Sequence, residues 1–179
     1  AGWREDEYLA YGYDFPRPNI RFRQLEETIK ICRLMWSEEE PSFDGEFFRI
    51  DGASAPPLPS VPPPICIGAS GEKIGLPLAA RHADIWNTVW RGSTQSLIQK
   101  QNIVLGELDR LGRSRADIEF SLTIERSLPN DGAECAEFFE LLSELIELQV
   151  NHFVLDFGNP QSPGEADRFI ADVMTPLRS

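Results

Sequence analysis

The sequence has few of the residues on which several classes of function depend. Its 179 residues include three cysteines, two histidines and two methionines. The cysteines, Cys32, Cys66 and Cys135, are widely separated, odd in number and each set among apolar residues. This spacing supports neither a disulfide framework nor a CxxC metal site, so we expect no metal centre and three buried thiols in a reducing cytoplasm.

Basic residues and long apolar runs are also scarce. Seventeen Lys and Arg against 29 Asp and Glu give a formal charge of −12, which argues against nucleic acid or an anionic membrane as partner. No apolar run approaches the length that spans a bilayer, and no signal segment is present at Ala1. The sequence therefore predicts a soluble cytoplasmic protein. Because the chain lacks an initiator methionine, we also expect it to belong to a longer reading frame.

The pattern of apolar residues predicts alternating helices and strands. Helices are expected over residues 21–36, 94–111, 133–148 and 163–177, with a further one after the glycine turn at 68–71. Strands are expected at 64–68, 84–87, 118–124 and 153–157, the last of them buried, and a tight hairpin at Asp44-Gly45. Strand-helix repeats at this spacing indicate a parallel α/β sheet, either a doubly wound sheet or part of a (β/α)₈ barrel.

The chain length fits a single domain over residues 1–179. Residues 37–64 form a hairpin and a proline-rich connector within it, with six prolines between Ser54 and Pro64. Such a segment is too small to be a domain and predicts an extended connection before the first central strand.

The strongest candidate site lies between Pro64 and Asn87, a predicted strand, glycine turn, helix and strand. A glycine turn such as Gly68-Ala69-Ser70-Gly71 leaves backbone N–H groups at the carboxyl end of the sheet, where they can hold an anion. Two residues oppose this interpretation. Glu72 adds a negative charge, and Pro77 removes a helix donor, so either the helix begins near Leu76 or its start is distorted.

Polar residues at other strand ends are weaker candidates. Asn87 is predicted to end its strand, where it binds a ligand or, more commonly, caps a turn. Glu125, Arg126 and Asp156 are expected at the same edge, and a solvated or salt-bridged role is favoured for each. His82 is expected to end a helix and His152 to precede a strand at the opposite edge, so neither is a candidate catalyst.

Several segments together resemble the luciferase-like monooxygenases, especially their deazaflavin-dependent branch. The segments are Gly2–Gly12, Cys32–Trp36, Pro62–Gly68, Ala79–Asn87 and His152–Leu155. The resemblance implies a TIM barrel of which this chain supplies the carboxyl-terminal half, as four parallel strand-helix repeats preceded by a helix and a small β-hairpin. It also implies FMN or a deazaflavin coenzyme, and a small organic substrate.

The resemblance assigns roles to particular residues. It implies that the coenzyme phosphate lies at Gly68, Ala69, Ser70 and Gly71, with Lys73 as a helper. Trp3, with Glu5 and Glu7, belongs to a loop that can reach the coenzyme pocket, although Arg4 stands where the family favours asparagine. Asn87 is the further candidate for a coenzyme contact.

The expected function follows from these assignments. The chain is a fragment of a flavin- or deazaflavin-dependent oxidoreductase or monooxygenase, weak or inactive alone, and its catalytic residues are not identified. The alternative is a non-catalytic half-barrel that serves as a binding or structural module. Because half a barrel exposes two sheet edges and one sheet face, we expect a homodimer or larger homo-oligomer.

Overall fold

The computed structural model describes residues 1–157 and 163–177. The helices are α1 (Glu5–Ala10), α2 (Pro18–Ser37), α3 (Gly75–His82), α4 (Thr94–Leu111), α5 (Gly132–Glu147), α6 (Pro163–Phe169) and α7 (Thr175–Leu177). The strands are β1 (Phe43–Asp44), β2 (Arg49–Ile50), β3 (Cys66–Gly68), β4 (Ile85–Val89), β5 (Glu119–Glu125) and β6 (His152–Asp156). Among these described helices, none is both long and apolar enough to cross a bilayer.

Four of the strands form one parallel sheet in the order β3-β4-β5-β6. Side chains alternate between its two faces, and the outer face packs against helices. Trp86 and Phe120 project from that face, their rings 5.2 Å apart and perpendicular, into a core with α3 and α4. Leu122 and Phe138 belong to a second core between the sheet and α5. The predicted α/β class and the four parallel repeats are confirmed.

The bounds of α4 show how closely local sequence sets a helix. The hydroxyl of Ser93 accepts a hydrogen bond from the amide of Ser96 and caps the first turn. Gly112 follows the helix in the left-handed conformation, with φ 67°, and its amide returns to the last turn. The predicted helix 94–111 is confirmed at both ends.

The start of α3 answers the question raised by Pro77. The helix begins at Gly75, so Pro77 lies in its first turn, where its missing N–H removes no intrahelical hydrogen bond. An added Cβ at Gly75 would lie 3.2 Å from the Cβ of Ala69, so a small residue is needed there. The first of the two predicted alternatives is correct.

The hairpin lies against α2. Its strands pair antiparallel through Phe43 and Ile50, and four residues connect them, so the loop is longer than the tight turn predicted at Asp44-Gly45. The carboxylate of Glu27 in α2 accepts hydrogen bonds from three consecutive backbone amides of this loop, those of Glu46, Phe47 and Phe48. A single half-buried carboxylate thus fixes the loop to the helix.

Two expectations about burial are wrong. Strand β6 is not buried on both faces, because Phe153 and Leu155 pack outward against helices while Val154, on the inner face, is 43% exposed. Of the three cysteines only Cys135 is buried: Cys32 in α2 is half-buried, and Cys66, on the inner face of the sheet, is exposed. The exposure of Val154 and of Cys66 has one cause: among the described residues, nothing packs over the inner face at these edge strands.

The final helical segment is not uniform. The predicted helix 163–177 is present as α6 and α7 joined by a π-helical stretch, Ile170–Met174. Phe169 and Val173 are buried against α5. The extra residue in the π turn therefore keeps the apolar side of this segment on the core.

Candidate functional site

The loop that joins β3 to α3 leaves the sheet at its carboxyl edge. Gly68 pairs with Asn87 in the neighbouring strand, and the amide of Ala69 donates to the Asn87 carbonyl over 2.9 Å. The ring nitrogen of Trp86 donates to the carbonyl of Ala69, also over 2.9 Å. These two bonds anchor the first loop residue, so the sheet ladder uses the Ala69 amide and leaves later amides for a ligand.

The next residues present free donors and open space. Among residues 1–157 and 163–177, no hydrogen-bond acceptor lies against the amides of Ser70 and Gly71. A Cβ built on Gly68 or Gly71 would meet no atom within 4 Å, so the backbone is approachable there. Two consecutive unpaired amides in a loop suit an anion such as phosphate, although α3 itself begins only at Gly75.

The side chains of the loop have separate partners. The Ser70 hydroxyl lies 2.7 Å from that of Thr88, which is only 5% exposed. Gln99 in α4 donates to the Glu72 carboxylate over 3.0 Å, and Lys73 is exposed. Glu72 is therefore tied to α4, although its charge still opposes an anion in the loop.

Asn87 is not at the end of its strand, contrary to the prediction. The strand continues through Thr88 and Val89, which pair with Leu122 and Thr123, because β-branched residues extend the ladder. The Asn87 side chain projects from the inner face and caps no turn. Its Nδ2 donates to the Ser121 hydroxyl over 2.8 Å, and its Oδ1 accepts from Thr123 over 3.2 Å.

These bonds continue across the sheet to β6. The Ser121 hydroxyl lies 2.8 Å from Nδ1 of His152, which is the first residue of β6 and does not precede the strand as predicted. The inner face thus carries one polar ladder of hydrogen-bonded side chains, formed by Asn87, Ser121, Thr123 and His152. His152 is at the amino-terminal half of the sheet, away from the loop, as expected for a residue that stabilises the fold.

His82 also serves the fold. It ends α3, as predicted, and its Nε2 lies 3.0 Å from the Glu26 carboxylate in α2. Burial lowers the pKa of His82 and outweighs the attraction of Glu26. Burial opposes the charge of Glu26 as well, but the hydrogen bonds from His82 and Lys30 leave the pKa of this carboxyl below its usual value. The pair fixes α2 beside α3.

Charged residues at the ends of β5 and β6 lie at the same edge as the loop. Glu125 and Asp156 are paired in the sheet and end their strands, as predicted. Glu125 lies 3.6 Å from Arg91, and Arg126 stacks over the ring of Phe138 with its guanidinium carbon 4.7 Å from the centroid. These contacts agree with the salt-bridged role that was favoured.

Trp3 is not brought to the loop. Its side chain is 84% exposed, and its ring is 5.9 Å from the guanidinium carbon of Arg4. The start of the chain is tied to α2 through Arg21, which donates to the Ala1 carbonyl. The structure thus collects Gly68, Ala69, Ser70, Gly71, Lys73 and Asn87 around one strand end and leaves Trp3 outside.

A large apolar groove lies elsewhere among the described residues. It has a volume of about 1000 Å³ and is lined by apolar side chains of α5, β6 and the final helical segment, including Leu142, Phe153 and Met174. Gln149 and Asn151, which precede β6, place it toward the amino-terminal edge of the sheet. Active sites of parallel α/β barrels occupy the opposite edge, so size alone does not identify the site.

Sequence reasoning missed the side chains that support the site. Thr88 holds Ser70, while Ser121 and Thr123 hold Asn87. The sequence contains one signal for these residues, the alternation of polar and apolar residues over 119–125, in which Ser121 and Thr123 stand between apolar residues. The alternation predicts that both side chains lie on the inner face, but it does not identify their hydrogen-bond partners.

Comparison with known proteins identifies the family. The family model for luciferase-like monooxygenases matches residues 1–169. An F420-dependent glucose-6-phosphate dehydrogenase of Kineococcus radiotolerans is 29% identical over 130 residues, covering 72% of this chain and 38% of the relative. An FMNH(2)-dependent dimethylsulfone monooxygenase of Pseudomonas fluorescens is 34% identical over 88 residues, covering 49% of this chain and 24% of the relative. The chain therefore spans less than half the length of these relatives.

Solved structures agree in fold. An F420-dependent secondary alcohol dehydrogenase superposes with a TM-score of 0.78 over 93% of this chain and 64% of its own, at 17% identity. A riboflavin lyase superposes with a TM-score of 0.75 over 96% of this chain and 60% of its own, at 12% identity. The four-stranded sheet corresponds to part of the barrel of these enzymes, which confirms the predicted partial barrel. The chain belongs to the luciferase-like monooxygenase family.

Proposed function

We propose that this chain supplies the phosphate-holding part of a site for FMN or a deazaflavin coenzyme, in an oxidoreductase that acts on a small organic substrate. The observation that carries the proposal is the pair of amides at Ser70 and Gly71, which have no acceptor among the described residues and open onto free space. Relatives named as F420-dependent and FMNH(2)-dependent supply the coenzyme class.

The residues of the loop fit a phosphate group. The two amides donate to its oxygens, and the Ser70 hydroxyl can donate as well when Thr88 donates to Ser70. Lys73 is exposed within the same loop and adds a positive charge. A flavin or deazaflavin supplies hydride transfer when bound, and the part of this chain is to hold the phosphate tail at the carboxyl edge of the sheet.

We expect this chain to be weakly active or inactive alone. Both histidines are engaged in contacts of the fold, His82 with Glu26 and His152 with Ser121. At the carboxyl edge, Glu125 is paired with Arg91. Among the described residues, the groups near the loop bind and position, and a base poised for proton transfer is not among them.

The proposal is tested by titrating the purified chain with FMN, riboflavin and inorganic phosphate, following flavin fluorescence and heat release. FMN should bind on the order of tenfold more tightly than riboflavin, a difference of about 1.4 kcal/mol, because only FMN carries the phosphate. Inorganic phosphate should compete with FMN. Equal affinity for FMN and riboflavin, or no uptake of FMN and of a deazaflavin coenzyme by a chain whose circular dichroism shows intact structure, would overturn it.

Two substitutions in the loop separate backbone from side-chain effects. Gly71→Pro removes one amide donor, whereas Gly71→Ala keeps it and places a methyl group in open space. The first variant should lose the preference for FMN over riboflavin, and the second should keep it. Loss of the preference in both variants would show that the amide is not the phosphate ligand.

The alternative function is a non-catalytic half-barrel that acts as a binding or structural module. The exposed inner face of β6 favours it, because such a face is suited to pairing with another sheet. The same titration distinguishes the two functions, since a structural module has no reason to prefer FMN over riboflavin.

A further inference from the structure

Two outward side chains of β4 reach the loop of Ala69, Ser70 and Gly71 (the anion loop). Trp86 and Thr88 are two residues apart in the strand and therefore project from the same, outer face. Trp86 is 1% exposed, and its Nε1 donates to the carbonyl of Ala69 over 2.9 Å. The hydroxyl of Thr88 lies 2.7 Å from that of Ser70. Successive outward residues of one strand thus hold successive residues of the loop.

Ala69 is held at its amide, its carbonyl and its side chain. Its amide donates to the Asn87 carbonyl over 2.9 Å, and its carbonyl accepts from the indole. Its methyl group lies against the first turn of α3, where a Cβ built on Gly75 would be 3.2 Å from it. These three contacts fix the peptide group between Ala69 and Ser70.

The direction of the Ser70 N–H follows from that of the Ala69 carbonyl, because the two belong to one planar peptide group. In a trans peptide group the C=O and the N–H point in opposite directions. The carbonyl points at an indole buried in the core, so the N–H points away from the core. This is an amide that has no acceptor among residues 1–157 and 163–177, next to the open space at Gly71.

We propose that Trp86 is a positioning residue for the anion loop, whose indole N–H orients the Ala69–Ser70 peptide group and polarises it for phosphate. The inference rests on the proposed phosphate site and concerns how that site is built. With a phosphate bound, the indole N–H donates to the Ala69 carbonyl and the Ser70 N–H donates to a phosphate oxygen. Hydrogen bonds in such a chain polarise one another, so each strengthens the next.

The indole is itself held in place. The ring of Phe120 is 5.2 Å from that of Trp86 and perpendicular to it, and the guanidinium carbon of Arg115 lies 3.7 Å from the centroid of the Phe120 ring. Trp86 also packs in the core with α3 and α4. Because the donor is already ordered, little conformational entropy is lost when the anion binds.

A structural role alone would give the same bond, since a buried indole N–H usually has a hydrogen-bond partner. The two roles differ in what happens when phosphate binds. A positioning residue changes the preference for the phosphorylated ligand, whereas a residue that only fills the core changes stability. Separating the roles takes one variant at Trp86, one matched core variant and one measurement on the parent chain.

Trp86→Phe keeps an aromatic ring and removes the donor. It should lower the preference for FMN over riboflavin about threefold and leave the affinity for riboflavin unchanged, because only the phosphate uses the Ser70 amide. Leu145→Val is the matched control, since Leu145 in α5 is fully buried in the second core and does not touch the loop. It should lower the urea midpoint and leave the preference intact.

The parent chain supplies a second readout, the NMR signal of the Trp86 indole N–H. Saturation with FMN or with inorganic phosphate should move this signal to lower field, because the bond to the Ala69 carbonyl strengthens. Riboflavin should leave the signal in place. The signal is assigned by exclusion with Trp3→Phe, Trp36→Phe and Trp90→Phe, so the measurement needs no change at Trp86.

Three results would each overturn the role of Trp86. They are an unchanged preference for FMN in Trp86→Phe, an equal loss of preference in Leu145→Val, and an indole signal that FMN and phosphate leave in place. The phosphate site survives these results as long as the parent chain prefers FMN. A parent chain that binds FMN and riboflavin equally overturns the phosphate site and the inference with it.

Discussion

Asn87 donates a hydrogen bond from Nδ2 to the hydroxyl of Ser121 over 2.8 Å, across the central pair of strands. The same hydroxyl lies within hydrogen-bond distance of Nδ1 of His152, 2.8 Å away. One polar ladder thus joins three of the four strands and orients a histidine at their amino-terminal ends.

Replacing Asn87 with leucine should destabilise the chain. The substitution removes both hydrogen bonds of the Asn87 side chain and leaves the hydroxyl of Ser121, only 2% exposed, without its donor. A loss of about 1–3 kcal/mol in the free energy of unfolding is expected in a urea titration. Asn102→Leu, at an exposed position of α4, is the control and should change stability by less than about 0.5 kcal/mol. Equal effects would show that the ladder contributes nothing.

Two glycines of one helix should respond in opposite directions to alanine. Gly112→Ala places a Cβ at φ 67° and should cost about 1–2 kcal/mol. Gly106 lies inside α4 with no atom within 4 Å of a built Cβ, so Gly106→Ala should stabilise by about 0.5–1 kcal/mol. Urea midpoints of the two variants against the parent check this, and a loss of stability in Gly106→Ala would contradict the open surface assigned to it.

Acidification should destabilise the contact between α2 and α3. Burial lowers the pKa of His82, so the unfolded chain binds a proton more readily than the folded one as pH falls through the normal histidine value of about 6.5. The pKa of Glu26 is also lowered, so its contribution is present above the normal carboxyl value of about 4.3 and is lost as pH falls below it. The free energy of unfolding should therefore decrease between about pH 7 and pH 5 because of His82, and decrease further between about pH 4.3 and pH 3 because of Glu26.

The measurement is a series of urea midpoints over this range, with Glu26→Gln as the matched variant. Glu26→Gln should remove the carboxyl part of the dependence and steepen the part due to His82, because a glutamine cannot offset the cost of charging the imidazole. A stability that is constant between pH 7 and pH 4 in the parent chain would show that this contact does not titrate as described.

The hydrogen bond between Ser70 and Thr88 should appear as coupling in a double-mutant cycle. Ser70→Ala leaves the buried Thr88 hydroxyl unpaired, whereas Thr88→Val removes that group and keeps its shape. Each single change should cost about 1 kcal/mol, and the double variant should cost less than their sum by about 0.5–1.5 kcal/mol. Urea titration of the four proteins measures it, and strict additivity would mean that the two hydroxyls do not support each other.

Local patterns predicted most of the fold. The three-and-four spacing of apolar residues gave α2, α4 and α5 within a few residues, and Ser93 and Gly112 marked the ends of α4. The strand of Asn87 was predicted too short because the polar residues Asn87 and Thr88 were taken to end it. Their hydrogen bonds to residues of other segments, Ser121 and Ser70, cannot be recognised within a local window.

The candidate site was predicted only in part. The glycine turn after β3 is where the sequence placed it, because glycine content and a following apolar helix are local signals. Three features of the site depend on segments 18 or more residues apart. Thr88 is hydrogen-bonded to Ser70, Gln99 is hydrogen-bonded to Glu72, and Trp3 lies away from the loop. The exposure of Cys66 and Val154 was missed for the same reason, since it depends on what lies beyond each edge of the sheet.

The sequence by itself determined the alternation of strands and helices, their approximate ends and the anion-suited turn at Gly68–Gly71, because these depend on periodicity and on the backbone preferences of glycine and proline within a few residues. Only the tertiary structure decided the pairing register of the strands, the polar ladder from Asn87 to His152 and the open inner face. These features depend on the register between strands that are distant in the chain, which packing of the outer face against the helices selects and no local pattern specifies.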